Sequence, residues 1–268
     1  MKTLQFSAEI TCFNEAVRLE HCLQSLSPCD EIVVYDMGST DGSLEIAHRY
    51  AHEVRHIKRV DIVEKIWKKI VGEAKNDWII LLDPDEVFPT ALFPKIVDII
   101  DSQPEIALIS IPWKFYFLGK PLTSTLWGGK KFKARVFNRN NVEISSQLFA
   151  GIIPKPGYTC YTFPYDENNA IQHYWIDNIP QLYAKHWRYI KNAGESRHKK
   201  GERFSYRKLL FDIKQSLKKN LKEYNGLNDG WRGIYLSLFH AWFTLMCHFS
   251  LCYYQFLLAS KSDDSKTD

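Results

Sequence analysis

Trp78-Ile79-Ile80-Leu81-Leu82 runs directly into Asp83-Pro84-Asp85-Glu86, and the reading of this stretch decides the fold. Four aliphatic residues in a row after Trp78, closed by turn residues, predict a short, buried central strand. Three acids crowd its C-terminal tip. Like charges so close repel one another unless something positive sits among them. A hard divalent cation with oxygen ligands, shared with a substrate's phosphates, is the usual resolution. Asp83 and Asp85 are therefore candidate ligands for Mg or Mn. An isolated Asp-x-Asp also suits a solvated acidic turn, so the choice rests on what precedes it.

Upstream, Leu4 to Thr11 reads as a strand ending in Thr11-Cys12-Phe13-Asn14-Glu15. A helix pattern follows, with Val17, Cys22 and Leu26 among its apolar positions and Leu19 and Leu23 on the neighbouring stripe. Asp30-Glu31 open a second apolar strand, Ile32 to Tyr35. It ends in the glycine-punctuated loop Asp36-Met37-Gly38-Ser39-Thr40-Asp41-Gly42, ahead of a helix from about Ser43 to Tyr50. Each of the three strands finishes in polar or acidic residues and hands over to a helix or turn. In an open parallel sheet the ligand crevice lies outside the carboxyl ends of the strands. Thr11, Asn14, Asp36, Asp41, Asp83 and Asp85 are thus expected to share one rim.

These three segments, in this order and spacing, resemble the family 2 glycosyltransferases of GT-A fold. Lys114 to Lys120, Trp127 and Ala134-Arg135-Val136-Phe137-Asn138-Arg139 are similar to bacterial members that glycosylate the lipopolysaccharide inner core. The resemblance implies an α/β fold: a GT-A, doubly wound, mostly parallel sheet with a C-terminal helical extension. It implies a nucleoside-diphosphate sugar as donor, with Thr11, Asn14, Glu15, Asp36, Asp41 and Asp83 at the nucleotide sugar. Asp83 and Asp85 correspond to the pair that holds Mg or Mn against the diphosphate. A carboxylate at Asp36 accepts hydrogen bonds from an imide N–H or sugar hydroxyls, which favours a UDP-sugar. Relatives often carry a second acid next; this chain has Met37. Asp41 has an alternative role as a helix cap.

Inverting transfer needs a base within reach of the acceptor hydroxyl. Relatives often carry a His-Glu pair shortly after the Arg-x-Phe strand, but the matching stretch, Ile144 to Gly151, has neither acid nor imidazole. Glu143 comes too early unless the register shifts. Asp166 and Glu167, in the polar loop after Tyr165, are the next base candidates, then Asp177; an ordinary surface turn is the commoner explanation of such acids. His173, before Tyr174-Trp175, falls where relatives often carry a histidine and also suits a packed core position.

The chain has 268 residues and a net charge of +4, which fits one elaborated α/β core, residues 1–190, with an appended helical tail. Its six cysteines show no zinc-like or CxxC spacing, and the N-terminal stretch lacks an apolar run long enough for a signal peptide. There is no P-loop and no G-x-G-x-x-G, which argues against nucleotide hydrolysis and nicotinamide chemistry. From Lys191 to Lys222 basic residues dominate and only Glu195, Glu202 and Asp212 oppose them. Leu210, Ile213, Leu217 and Leu221 recur there at helical spacing. The motifs upstream give nucleic acid no support; an anionic membrane surface is the expected partner.

After Gly226-Leu227-Asn228-Asp229-Gly230, residues 233–260 carry no Lys, Arg, Asp or Glu and many aromatics. That run suits in-plane membrane association, core or oligomer packing, or a span. Residues 191–260 read as a basic and aromatic helical tail and 261–268 as a disordered C-terminus. The expected protein is an inverting, metal-dependent hexosyltransferase acting on a lipid-linked glycan acceptor, cytoplasmic and peripheral on the inner membrane face. A degenerate relative that binds membrane or partner without turnover, and a nucleotidyltransferase, are the alternatives.

Overall fold

The computed structural model describes residues 4–60, 62–145 and 151–264. The chain opens with β1 (Phe6–Cys12), α1 (Ala16–Ser25), β2 (Glu31–Asp36), α2 (Ser43–Tyr50), β3 (Glu53–His56), α3 (Glu64–Gly72) and β4 (Trp78–Leu82). It continues through β5 (Glu86–Val87), α4 (Phe93–Ser102), β6 (Ile106–Phe117), β7 (Lys120–Pro121) and β8 (Lys131–Asn138). Then come β9 (Val142–Ile144), β10 (Ile152–Pro154), β11 (Thr159–Thr162), β12 (Ile171–Ile176), α5 (Ile179–Lys199), α6 (Tyr206–Lys218) and α7 (Trp231–Asp264).

Contacts divide the chain into two compact units. The first holds Met1–Lys114 and Lys130–Tyr174, the second Phe115–Gly129 and Trp175–Asp268. The main sheet runs β3-β2-β1-β4-β8-β6-β12-β5. Its first four strands are parallel, joined by helical crossovers; β8 then enters antiparallel to both β4 and β6. Mixed α/β architecture of the expected class results, parallel where crossover helices connect the strands and antiparallel where the chain simply turns back. Cys12 lies opposite Asp36 and Ile10 opposite Leu82, so β1, β2 and β4 end on a common edge.

Strand alternation sorts the core into two layers. Ala8, Ile10, Ile80 and Leu82 pack on one face with Leu19, Cys22 and Leu23 of α1 and with Leu26 just after it. Val33, Tyr35, Ile79 and Leu81 meet Trp67, Ile70 and Val71 of α3 on the other. Val17, expected among the apolar positions of α1, is 84% exposed. The helical face through Leu19 and Leu23 is the one turned to the sheet, and Val17 falls outside it.

In the second unit, α5 and α7 pack on an aromatic cluster with Trp127 and Trp175. Trp127 stacks on Trp175 at 4.8 Å, and His186 meets Phe239 edge-on at 4.7 Å. Burial lowers the His186 imidazole to about 4, so it packs as a neutral ring. The basic stretch expected from Lys191 to Lys222 is divided between two helices. Gly201 adopts a left-handed φ of +83° between α5 and α6, a conformation that ends a helix and suits glycine. α7 runs four residues into the segment expected to be disordered, and 265–268 lie outside the described residues.

One polar side chain sits deep in the first unit. Glu9, on β1, is fully buried, and neither carboxyl oxygen has a hydrogen bond of normal geometry. Burial pushes its carboxyl up to about 8, offset in part by the nearby Tyr35 hydroxyl. The folded protein therefore keeps a proton that the unfolded chain releases above its ordinary value of 4.5. Stability should fall as pH rises from there through about 8. Glu9→Gln removes that dependence and should gain about 2–5 kcal/mol at the alkaline end. Urea unfolding at both ends of the window checks it; parallel pH profiles for the two proteins would contradict it.

Candidate active site

The loops after β1 and β2 are tied to each other by their own side chains. Asn14, at φ +56°, accepts from the Thr40 N–H at 2.8 Å, and its own N–H donates to Ser39 Oγ at 3.0 Å. The Glu15 N–H donates to Ser43 Oγ at 2.8 Å. Asp41 accepts from the Ala16 N–H at 3.1 Å and the Ser43 N–H at 3.1 Å. One carboxylate thus serves the first turns of both α1 and α2, and favours them electrostatically. Asp36 is buried and accepts from the Gly38 N–H at 3.0 Å and the Ser39 N–H at 3.2 Å. Burial works against its charge, but these donors outweigh it and hold the carboxyl below its ordinary value. Asp36 is therefore ionised and spent on shaping its loop. His56 Nδ1 lies 3.5 Å from it, and Thr11 sits one residue before the end of β1, nearly buried.

The tip of β4 is a β-turn: the Glu86 N–H donates to the Asp83 carbonyl at 3.0 Å, with Pro84 in the position where its fixed φ suits such a turn. The Glu86 side chain, wholly buried, turns back and accepts from the Asp83 N–H at 3.1 Å. Facing the turn is β8. Lys131, Lys133 and Arg135 alternate along it and so share a side of the strand. The buried Arg135 guanidinium bonds Asp83 and, at 2.7 Å, Glu86. Lys133 Nζ lies 3.2 Å from Asp83 and 3.4 Å from Glu86, and 4.1 Å from the centre of the Trp113 ring. His173 stacks parallel on Trp113 at 4.7 Å, and its Nε2 is 3.2 Å from Asp85.

Burial works against the charge of Asp83, yet Arg135 and Lys133 hold its carboxyl well below the ordinary range. The positive charge that three crowded acids require is thus supplied by the chain itself. Repulsion alone does not call for a metal.

Donor chemistry still suits one. Asp83 is ionised and a third exposed, and Asp85 lies two residues along the same turn. No preformed cluster of three or more ligating side chains occurs among the described residues. That matches a hard cation bound by one or two carboxylates and completed by substrate phosphates and water.

Both base candidates have structural partners. Asp166 accepts from the Asn168 N–H at 3.0 Å and the Asn169 amide at 2.6 Å, capping a short turn. Glu167 is paired with Lys114 at 2.6 Å. The stretch where a His-Glu pair was expected includes 146–150, outside the described residues. Sequence reasoning placed the carboxylates and missed Lys133 and Trp113 as their neighbours. The signal was there in the alternation of basic residues along 131–135.

Residues 7–156 match the glycosyl transferase family 2 model. The chain belongs to that family. It is similar to the lipopolysaccharide core biosynthesis glycosyltransferase LpsC of Rhizobium meliloti (strain 1021), 25% identical over 57% of this chain and 58% of that protein. It is also similar to an uncharacterized glycosyltransferase of Rickettsia bellii (strain RML369-C), 28% identical over 68% of this chain and 64% of the relative. The chain thus matches less than two thirds of the length of either. Among solved structures, S. aureus TarS 1-349 in complex with UDP aligns over 71% of this chain and 65% of that one, with 14% identity and a TM-score of 0.45.

In this family 2 chain the ion cluster at the β4 tip is the most interdependent part of the site. Arg135→Met leaves the buried Glu86 with only the more distant Lys133 as a cationic partner, and should cost about 3–5 kcal/mol. Arg135→Lys should recover part of that. Chemical denaturation of the three proteins measures the difference, and a loss within the range of ordinary surface substitutions would show that Arg135 is dispensable to the turn.

Proposed function

We propose that this chain is an inverting hexosyltransferase that moves a sugar from a nucleoside-diphosphate donor, a UDP-sugar, to a hydroxyl of a lipid-linked glycan in lipopolysaccharide core synthesis. One observation carries the reading: an ionised, partly exposed Asp83 held by Arg135 and Lys133 at the tip of a parallel strand, two residues before the buried Asp85, in a family 2 chain. The name of LpsC supports the acceptor class. The enzyme would then work at the cytoplasmic face of the membrane that carries the acceptor.

Thr11 and Asp36 line the nucleoside end of the donor site in this proposal, at the ends of adjacent parallel strands. Asn14, Glu15 and Asp41 hold the two loops in register and act by positioning. Asp83 and Asp85 would hold Mg or Mn, which supplies positive charge to the leaving diphosphate. Lys133, only partly buried, offers a second positive charge at the same edge. Arg135 keeps Asp83 ionised and the turn in place.

For the base, Glu167 is preferred over Asp166. Its carboxylate is 54% exposed and has only to leave Lys114, whereas the oxygens of Asp166 stabilise their own turn. Taking the acceptor's proton would neutralise Glu167 and weaken its pairing with Lys114.

Transfer assayed with a panel of sugar nucleotides and Mn should release a nucleoside diphosphate, not pyrophosphate. Asp85→Ala should lower the rate about 100-fold or more while leaving the protein folded, the scale of losing one charge-stabilising group. Full activity of the unaltered protein in EDTA would remove the metal from the account. A Glu167→Gln protein as fast as the parent would return the base role to another residue.

A further inference from the structure

We infer that the second unit docks on an anionic bilayer through one exposed stripe of α7, lying in the plane of the membrane and not crossing it. Within α7, residues 231–258 are long and apolar enough to span, but their two sides differ. Trp231, Ile234, Leu238, Phe249, Tyr253 and Phe256 are 43–67% exposed. They recur every three or four residues, apart from the middle of the helix, where Trp242 and Leu245 fall on the same line and are half-buried. That spacing makes one continuous apolar stripe, far more than scattered surface hydrophobes.

The other side of the helix is committed to protein, much of it polar. His240 bonds Ser216 Oγ at 2.7 Å. His248, almost fully buried, is 2.9 Å from Asp212 and 3.3 Å from Arg197. Gln255 accepts from the Phe204 N–H at 3.0 Å and donates to the Glu202 carbonyl at 2.9 Å. A span would carry Arg197 and Asp212, with α5 and α6, and Glu202 between those helices into hydrocarbon, where ionised groups are costly. Only the stripe can enter lipid while these contacts persist.

Charge identifies the occupant. Arg207, Lys208, Lys214, Lys218, Lys219 and Lys222, on α6 and the turn after it, are all exposed. In the same helix Leu210 and Phe211 are 69% and 59% exposed. Basic residues next to exposed apolar side chains suit an anionic headgroup layer over an acyl boundary. A second copy of this chain would bring like charges together. The membrane-borne acceptor proposed above gives this docking its purpose, but the test below needs no substrate.

Full-length protein is sedimented with phosphatidylcholine vesicles and with vesicles that also contain phosphatidylglycerol. Binding should require the anionic lipid, weaken with salt, and be reversed by an alkaline carbonate wash. Leu238→Glu with Phe249→Glu, and separately Lys218→Glu with Lys219→Glu, should each lower vesicle affinity about tenfold or more. Val17→Glu, on the exposed side of α1, should not. Circular dichroism and donor-nucleotide binding report whether each variant is folded. Resistance to the carbonate wash would mean a span, and the inference fails. It fails equally if the protein ignores anionic vesicles, whether monomeric or as a dimer that Leu238→Glu with Phe249→Glu dissociates. Vesicle binding without sugar transfer would instead sink the proposed activity and leave the docking intact.

Discussion

The site depends on the buried Arg135 guanidinium that joins Asp83 to Glu86 at the end of β4. Three acids within four residues repel one another, and Glu86 has no access to solvent. Without a fixed cation the turn would have to open or its carboxyls take up protons. Arg135 suits the task because a guanidinium stays charged when buried and presents several donors in a rigid plane. With it in place Asp83 stays ionised, and Lys133 is left between the cluster and the exposed edge. Such an arrangement meets a charged ligand with little reorganisation, the property that makes preorganised electrostatics effective.

Opposite this cluster, the loops after β1 and β2 form a rigid frame by another route. Asn14, Ser39, Asp41 and Ser43 exchange hydrogen bonds between two loops about 25 residues apart in sequence. Their polar groups satisfy the starts of α1 and α2. The rim of the parallel half is thus held by capping chemistry on one side and by ion pairing on the other. A ligand contact from Asp36 would be made by a carboxylate already fixed in place.

Much of this was legible in the sequence. The apolar run from Trp78 to Leu82, the strand before Asp36 and the helix from Ser43 to Tyr50 stand where periodicity and turn residues put them. The common edge followed from parallel strands alone. What was not legible were facts about partners. Nothing local says that Arg135, some fifty residues on, neutralises Asp83, and the sequence alone therefore calls for a metal to relieve the repulsion. Asp41 looked equally like a ligand and a cap because a carboxylate before a helix serves either; the choice needs the position of Ala16. Val17 was misplaced since α1 carries apolar residues on more than one side and the sheet selects among them. Gly201 divides the basic stretch because tertiary packing turns the chain there, although the leucine spacing beyond it reads as helix. Glu9 gave no warning at all: Ala8 and Ile10 beside it are apolar, Ser7 and Thr11 on its own side are polar, and one acid in such a strand is indistinguishable from a solvent-facing one until the second layer is seen.

The most direct test of the central claim is an anomalous difference map from crystals grown with UDP and Mn. The account predicts one Mn peak beside the carboxylates of Asp83 and Asp85, with the diphosphate between it and Lys133 and the uridine toward Asp36 and Thr11. A nucleotide bound elsewhere, or bound at this edge with no Mn peak, would contradict it.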